Sequence, residues 1–429
     1  MHPQIVLFGA GRSATCLIDY LLTEAAVHHW KLTVADGDQT LAQSKIGGSP
    51  FGRAQGLDIR HEESRQQLVS GADLVISLLP PSLHALLARD CLSFGKNLLT
   101  ASYVDEDMAR LRPEIESKNL LFLCEMGLDP GIDHMSAMQL VDRIHRDGGK
   151  VIRFLSHTGG LVAPSSDDNP WHYKVSWNPG NIVRAGSGGA VFREEGQRKT
   201  WDYQELFGRF REVSLPSLGR WAWYPNRDSL RYLERYGLEE AQTFIRTTLR
   251  HPIFCQAWQA IVAAGLTSAL PLSDVHPRTY AQWSKPIRPR ITEGIQPLLA
   301  FLGLFDEREF PAEQTSSAAI LQGLVESRLA MQPRDRDMIV MLHQLVCQMP
   351  SSRDKSVVQV ESFLRVEGQD RLRTAMAQTV GLPLGIAAKM VLTRAWDLHG
   401  LLIPTLPAIY EPVLRELAPL GIRFEERVS

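Results

Sequence analysis

The first third of the chain alternates short, almost uninterrupted apolar runs with longer segments whose apolar residues recur every three or four positions. Ile5-Val6-Leu7-Phe8, Leu32-Thr33-Val34-Ala35, Leu74-Val75-Ile76-Ser77-Leu78-Leu79, Asn97-Leu98-Leu99-Thr100 and Leu120-Leu121-Phe122-Leu123-Cys124 are the runs. Strands buried on both faces need such runs, and their alternation with helices predicts a parallel α/β sheet. Beyond about Leu128 the pattern changes. Val151 to Ser156 reads as a strand leading to a turn at Gly159-Gly160, followed by loops rich in Ser, Asp, Asn and Pro. Further strands are predicted near residues 182–183, 190–193 and 357–366, and residues 229–350 read as helical. Residues 375–392 form a helix apolar on nearly every side, expected to be buried against the first domain. The last segment reads as a helix at 409–417 and a strand at 422–424 that returns to the first sheet.

The junction after the first run carries chemistry. Gly9-Ala10-Gly11-Arg12-Ser13-Ala14 is G-x-G-x-x-A between a strand and the helical run Cys16-Leu17-Ile18-Asp19-Tyr20-Leu21-Leu22. This is the phosphate-binding opening of a dinucleotide domain. Gly9 permits the sharp turn and Gly11 lets backbone approach a pyrophosphate. Ala14 lets helix and strand pack closely, and the helix N-terminus turns its N–H groups toward the anion. The second strand ends at Asp36, whose carboxylate suits ribose hydroxyls and repels a 2′-phosphate, favouring NAD over NADP; the bland alternative is a cap on the turn Asp36-Gly37-Asp38. No Arg or Lys follows until Lys45. Ligands of open sheets lie beyond the carboxyl ends of the strands, which places Leu79 and Thr100 beside the nicotinamide half and Asp58 near the adenine.

Composition narrows the class. The chain has 429 residues, 44% hydrophobic and 22% charged, with a formal net charge of −2, enough for two or three domains with real cores. There is no basic stripe for nucleic acid. The five cysteines are scattered, without C-x-x-C pairing, as expected of reduced thiols. Strand begins at Ile5, leaving no room for a signal peptide, and no apolar run is read as long enough for a membrane span. A cytoplasmic protein without membrane attachment is expected.

Two further stretches suggest a site. Gly127-Leu128-Asp129-Pro130-Gly131-Ile132-Asp133-His134-Met135 joins a strand to a new helix at the expected seam between domains. Pro130 at the first helical position with Asp129 as N-cap is the structural reading. The functional one is that Asp129 faces a substrate amine. His134 reads as a packed residue rather than a base, and no His, Cys and carboxylate cluster has metal-ligand spacing, so no metal is expected. Tyr224-Pro225-Asn226-Arg227-Asp228 and Thr243 to Arg250 place guanidiniums suited to clamping carboxylates, although either arginine alone also reads as an ion-pair residue.

GLDPGIDHM at 127–135, GGL-x-AP at 159–164, NP-x-x-YKVSW at 169–177, YPNRDSL at 224–230, TFIR-x-TLR at 243–250 and TVG-x-P at 379–383 together resemble the saccharopine dehydrogenase family, in its L-glutamate-forming branch. The resemblance covers nearly the whole chain. It implies a Rossmann-type domain at 1–128 completed by 384–429, a mixed α/β substrate and dimerisation domain at 129–228 and 351–383, and an all-helical insertion at 229–350. It implies a homodimer that interconverts saccharopine with 2-aminoadipate semialdehyde and glutamate, using NAD or NADP. Carried over residue by residue, the substrate contacts fall on Ala101, Ser102, Asp129, Arg227, Thr248, Leu249 and Arg250. The cofactor contacts fall on Gly9 to Ala14, Asp36 and the Thr100 region. Hydride transfer to an imine needs its positive charge stabilised, a role for Asp129, with Tyr103 assisting proton transfer. Three positions depart from the family pattern: Asp36 where NADP-dependent members are basic, Thr158 where fungal members have cysteine, and Ala101 for a threonine. The rival readings are an imine reductase of polyamine synthesis resembling carboxynorspermidine dehydrogenase, and a non-catalytic dinucleotide sensor.

Overall fold

The computed structural model describes residues 2–272, 277–350 and 356–429. The boundary expected between 350 and 351 therefore lies outside the described residues. The chain divides into two units, residues 1–142 with 372–423, and residues 143–371 with 424–429.

In the first unit β1 (Gln4–Phe8), β2 (Lys31–Asp36), β3 (Gly52–Gly56), β4 (Leu74–Ser77), β5 (Asn97–Thr100) and β6 (Leu121–Leu123) run parallel in the spatial order β6-β5-β4-β1-β2-β3. This is the doubly wound order with its switch point between β1 and β4. The four residues of β4 are all buried, as helices on both faces require. A further strand, Gly400–Leu402, extends the sheet beside β6.

Helix α1 (Thr15–His28) packs on the apolar helix Ala375–Leu392, where a Cβ on Gly381 would meet Leu17 and one on Gly385 would meet Tyr20. That second helix corrects an expectation, since it is long and apolar enough to cross a membrane. Its 67% burial shows where the apolar surface goes, into the core of the first unit.

The second unit is built on a mixed sheet. Its path runs through strands Arg211–Leu215, Gly219–Pro225, Thr243–Arg250, Lys150–Val162, Asp337–Met349, Ser356–Glu367 and Glu425–Val428. The pair Thr243–Arg250 and Lys150–Val162 is parallel, and the other neighbours on the path are antiparallel. Helices Pro252–Ala263, Gln296–Leu302 and Ser317–Arg328 share one core with this sheet. At its centre Trp258 stacks on Phe254 at 5.3 Å, while Trp171 meets Trp258 edge-on and donates to the Leu298 carbonyl at 2.7 Å.

Four sequence expectations change here. Gly159-Gly160 is not a turn but lies inside the strand Lys150–Val162, paired with Val340 and Ile339. The stretch 229–350 is not helical throughout, because Thr243–Arg250 and Asp337–Met349 are strands. Both are buried almost to their ends, which erases the period-two alternation that marks a strand. Residues 182–183 end a helix, Pro179–Val183, whose N-cap Asn178 accepts from Gly180 N at 2.9 Å. The terminal strand is Glu425–Val428 and joins the second sheet, not the first. Its residues are all exposed, which suits a charged edge strand and not a parallel strand covered on both faces.

Candidate active site

The glycine turn is held from both sides. Gly9 N donates to Ala35 O at 2.9 Å and Ala10 N to Asp36 Oδ2 at 2.6 Å, so Asp36 braces the turn as well as closing β2. Its other oxygen accepts from Asp38 N at 2.9 Å, which is the capping role the sequence allowed. Each carboxylate oxygen keeps a further lone pair for a ribose hydroxyl. Gly9, at φ +103, lies so close to β4 that a Cβ would stand 2.9 Å from Leu78 O. Gly11 differs: its φ of −62° is ordinary and a Cβ there would meet nothing within 4 Å. Protein sterics do not require glycine at 11; close approach of a pyrophosphate does, and the residues fit that group. The 3-10 turn Arg12–Ala14 has no side-chain cap, as befits an anion-binding N-terminus. Lys45, distant in sequence, donates its ammonium to Gly11 O, and burial lowers its pKa to about 8 against the pull of Asp36. Leu79 is half-buried just past β4, and Asp58 is exposed just past β3, accepting from Arg60 N.

At the ends of β4 and β5 the structure assembles side chains that are far apart in sequence. Ser77 Oγ lies 2.8 Å from His84 Nδ1, and His84 Nε2 lies 2.6 Å from Ser102 Oγ. Burial pushes His84 down to about 4, leaving it neutral. Thr100, buried at the end of β5, accepts from Ser102 N through Oγ1 and from Met126 N through its carbonyl. Ala101 stands against Gly127, where an added Cβ would lie 3.1 Å from it. Tyr103 donates its hydroxyl to Asp129 Oδ1 at 2.9 Å, pairing the two residues expected to do chemistry.

The loop bearing Asp129 is anchored beneath. Glu125 Oε1 accepts from Val104 N at 3.0 Å, and Oε2 pairs with His134 Nε2 at 2.8 Å with both side chains fully buried. Asp133 accepts from Gly131 N, and Gly131, at φ +146, carries a backbone that leaves only 2.0 Å between its ideal Cβ and Gly127 O. The expectation of Asp129 as N-cap with Pro130 at the first helical position is corrected: the helix begins at Ile132, and the 125–131 segment folds back with Gly127 N donating to Pro130 O. The Asp129 carboxylate accepts from Tyr103 instead of capping that helix. His134 is structural, held by Glu125.

In the second unit Thr248, Leu249 and Arg250 close one strand, with Thr248 opposite Thr158. Leu249 is fully buried, and its carbonyl accepts from Arg250 Nη1. Arg250 is 5% exposed and lies over the rings of Tyr173 and Phe254 at 5.2 and 5.7 Å. Its Nη1 donates to Leu249 O, while Nε has no hydrogen-bond partner among the described residues. Arg227 is exposed in the two-residue strand Arg227–Asp228, with φ +50. Asn226 N donates to Arg246 O at 2.8 Å, tying that loop to the strand of Arg250. Among the described residues, no group of three or more His, Cys, Asp and Glu has metal-binding geometry.

Lys45, Ser77, His84 and Glu125 were not foreseen from sequence. Nothing local marks them; only the position of His84, just beyond the end of β4 at the switch-point edge of the sheet, offered a signal. Taken together, the first unit offers an anion cradle, a hydroxyl pair and a carboxylate, and the second offers a buried guanidinium.

Comparison with known proteins shows the family. The family described as saccharopine dehydrogenase NADP binding domain matches residues 5–123, and that described as saccharopine dehydrogenase C-terminal domain matches residues 127–422. Saccharopine dehydrogenase (NADP+, L-glutamate-forming) of Schizosaccharomyces pombe is 30% identical over 99% of this chain and 99% of its own length. An alpha-aminoadipic semialdehyde synthase of Arabidopsis thaliana is 32% identical over 99% of this chain, which spans only 45% of that protein. The apo histidine-tagged saccharopine dehydrogenase (L-Glu forming) from Saccharomyces cerevisiae superposes with a TM-score of 0.88 over 100% of both chains at 29% identity.

Proposed function

The chain belongs to the saccharopine dehydrogenase family, and from that premise we propose that it is an L-glutamate-forming saccharopine dehydrogenase, interconverting saccharopine with 2-aminoadipate 6-semialdehyde and L-glutamate. It is a nicotinamide-dinucleotide oxidoreductase of the kind that acts on a CH–NH group. The observation that carries the substrate reading is Arg250, a buried guanidinium whose Nε has no hydrogen-bond partner among the described residues. An unpaired buried cation is costly, and a carboxylate of an amino-acid substrate removes that cost with the bidentate geometry arginine prefers.

A dinucleotide held at the Gly9 to Ala14 turn and Asp36 would take up or supply the hydride. The protein's residues do the rest. Asp129 stabilises the positive charge of the imine, and Tyr103, hydrogen-bonded to it, carries a proton to or from the substrate nitrogen. Arg250 and Arg227 hold substrate carboxylates and so convert binding into orientation. In the oxidative direction a C–H hydride leaves, an imine forms, and water adds to it to release aldehyde and glutamate.

We favour NAD over NADP on the strength of Asp36, whose carboxylate repels a 2′-phosphate. The fungal relatives carry NADP+ in their names, and Lys45 beside the turn is the feature of this chain that favours a 2′-phosphate. A homodimer in a reducing compartment, the cytoplasm, completes the reading; its five cysteines are buried and none is in a disulfide.

The test is absorbance of reduced nicotinamide with purified protein, saccharopine, and NAD or NADP in parallel, with glutamate measured. Reduced cofactor appearing with stoichiometric glutamate is expected, faster with NAD. Silence with both cofactors despite dinucleotide binding overturns the substrate assignment, and tighter binding of NADPH than NADH overturns the cofactor assignment.

A further inference from the structure

Ser77 and His84 take no part in the chemistry above, yet both are buried and joined to Ser102. Ser77 is fully buried and its hydroxyl has one neighbour among the described residues, His84 Nδ1 at 2.8 Å. A buried O–H without an acceptor costs more than a hydroxyl oxygen with a spare lone pair, so Ser77 donates and Nδ1 accepts. The proton of the neutral imidazole then sits on Nε2 and is donated to Ser102 Oγ at 2.6 Å. The tautomer is assigned from this network. With its oxygen occupied by Nε2–H, the Ser102 hydroxyl has its own proton left to give. Among the described residues no acceptor for it occurs; Ser102 N is committed to Thr100 Oγ1, and Ser102 O to Glu125 N. Ser102 stands just past β5, at the carboxyl edge of the sheet where an open α/β domain meets its ligand.

We infer that His84, oriented by Ser77, is a positioning residue that fixes the Ser102 hydroxyl as a hydrogen-bond donor to a carboxylate oxygen of the amino-acid substrate. The relay is directional: Ser77 to His84 to Ser102 to ligand. It selects for an acceptor, and a ligand presenting an N–H at that point meets a second donor. The desolvation that keeps His84 neutral keeps the relay intact at neutral pH, because a protonated imidazole would put N–H on both sides and displace the Ser77 hydrogen. The inference rests on the saccharopine reading for the identity of the ligand, not for the direction of the relay.

The test combines kinetics with spectroscopy on the full-length protein. Ser102→Ala and His84→Leu should each raise the KM for saccharopine about tenfold, the size of a lost bond to a charged oxygen, with the KM for dinucleotide unchanged. The double variant should be no worse than either single one, because both remove the same bond. His84→Gln, which keeps an N–H directed at Ser102, should recover most of the loss. Long-range 1H–15N spectra of histidine-labelled protein, with His84 assigned by its disappearance in His84→Gln, should show the Nε2–H tautomer, and Ser77→Ala should shift it toward a mixture. Multiplying losses in the double variant, a matching rise in dinucleotide KM, or an Nδ1–H tautomer in the wild type would each overturn the proposal. If the wild type fails to oxidise saccharopine at all, the functional reading falls by that result alone, and the tautomer spectrum still decides the direction of the relay.

Discussion

Around the first sheet the polar side chains are paired with one another: Asp36 with the turn, His84 with two serines, Tyr103 with Asp129, Glu125 with His134. In the second unit Arg250 lies buried over aromatic rings, with no partner for its Nε among the described residues. The first arrangement spends its hydrogen bonds on fixing geometry before a ligand arrives, which is how preorganised sites work. The second leaves one guanidinium N–H of a buried cation without an acceptor among the described residues. On the proposed function, the first region fixes where atoms sit and the second favours a carboxylate-bearing molecule.

Breaking the second region should have the largest effect. Arg250→Met is expected to lower kcat/KM for saccharopine by about 100-fold or more, the cost of losing a desolvated charge pair. Thermal unfolding of the free protein should hold steady or rise, since an unpaired buried cation has been removed. A fall in both would make Arg250 a structural residue and dissolve the contrast. Asp129→Asn tests the first region next. Asparagine retains an oxygen for the Tyr103 hydroxyl but no charge, so kcat should fall by about 100-fold with KM little altered; a pure KM effect would reduce Asp129 to a binding contact.

The glycines sharpen the comparison at smaller amplitude. Gly9→Ala forces a Cβ to 2.9 Å from Leu78 O at a positive φ and should cost about 2 kcal/mol of stability in denaturant unfolding. Gly11→Ala has open space around it, so stability should stay unchanged while dinucleotide affinity drops about tenfold in titration calorimetry. Equal stability losses at the two positions would mean that Gly11 serves the fold. The smallest effect concerns pH. Lys45 has its pKa lowered to about 8, so it is protonated below that value and loses its charge above it. Dinucleotide affinity should therefore be full at pH 7 and fall a few-fold as pH rises through about 8, and Lys45→Met should flatten the profile.

Legibility in the sequence followed the range of the interactions. The strand, glycine turn and helix at residues 4–28 are contiguous, and each position of G-x-G-x-x-A has its own steric or dipolar reason, so the cradle could be read from the residues alone. The arginine strand was recognised by motif, but its strand character was missed, because Thr243–Arg250 is buried nearly throughout and its alternation is lost. Asp129 stands out in the sequence as a candidate, but its local geometry does not, since a proline after an acid resembles a helix start until the backbone is seen to turn back on Gly127.

Periodicity and turn chemistry are properties of neighbours in the chain, and through them the sequence by itself determined the class of fold, the dinucleotide turn and the residue types a carboxylate-bearing substrate needs. Whether a given side chain has a partner depends on residues many positions away. Only the tertiary structure decided that Lys45 reaches Gly11, that His84 links Ser77 to Ser102, and that Arg250 is buried with no partner for its Nε among the described residues. It also decided that helix Ala375–Leu392 spends its apolar surface inside the first unit, and that Glu425–Val428 pairs in the second sheet. Burial and pairing are set by which surfaces meet when the chain folds, and the energy of an unmet charge or hydroxyl appears only there.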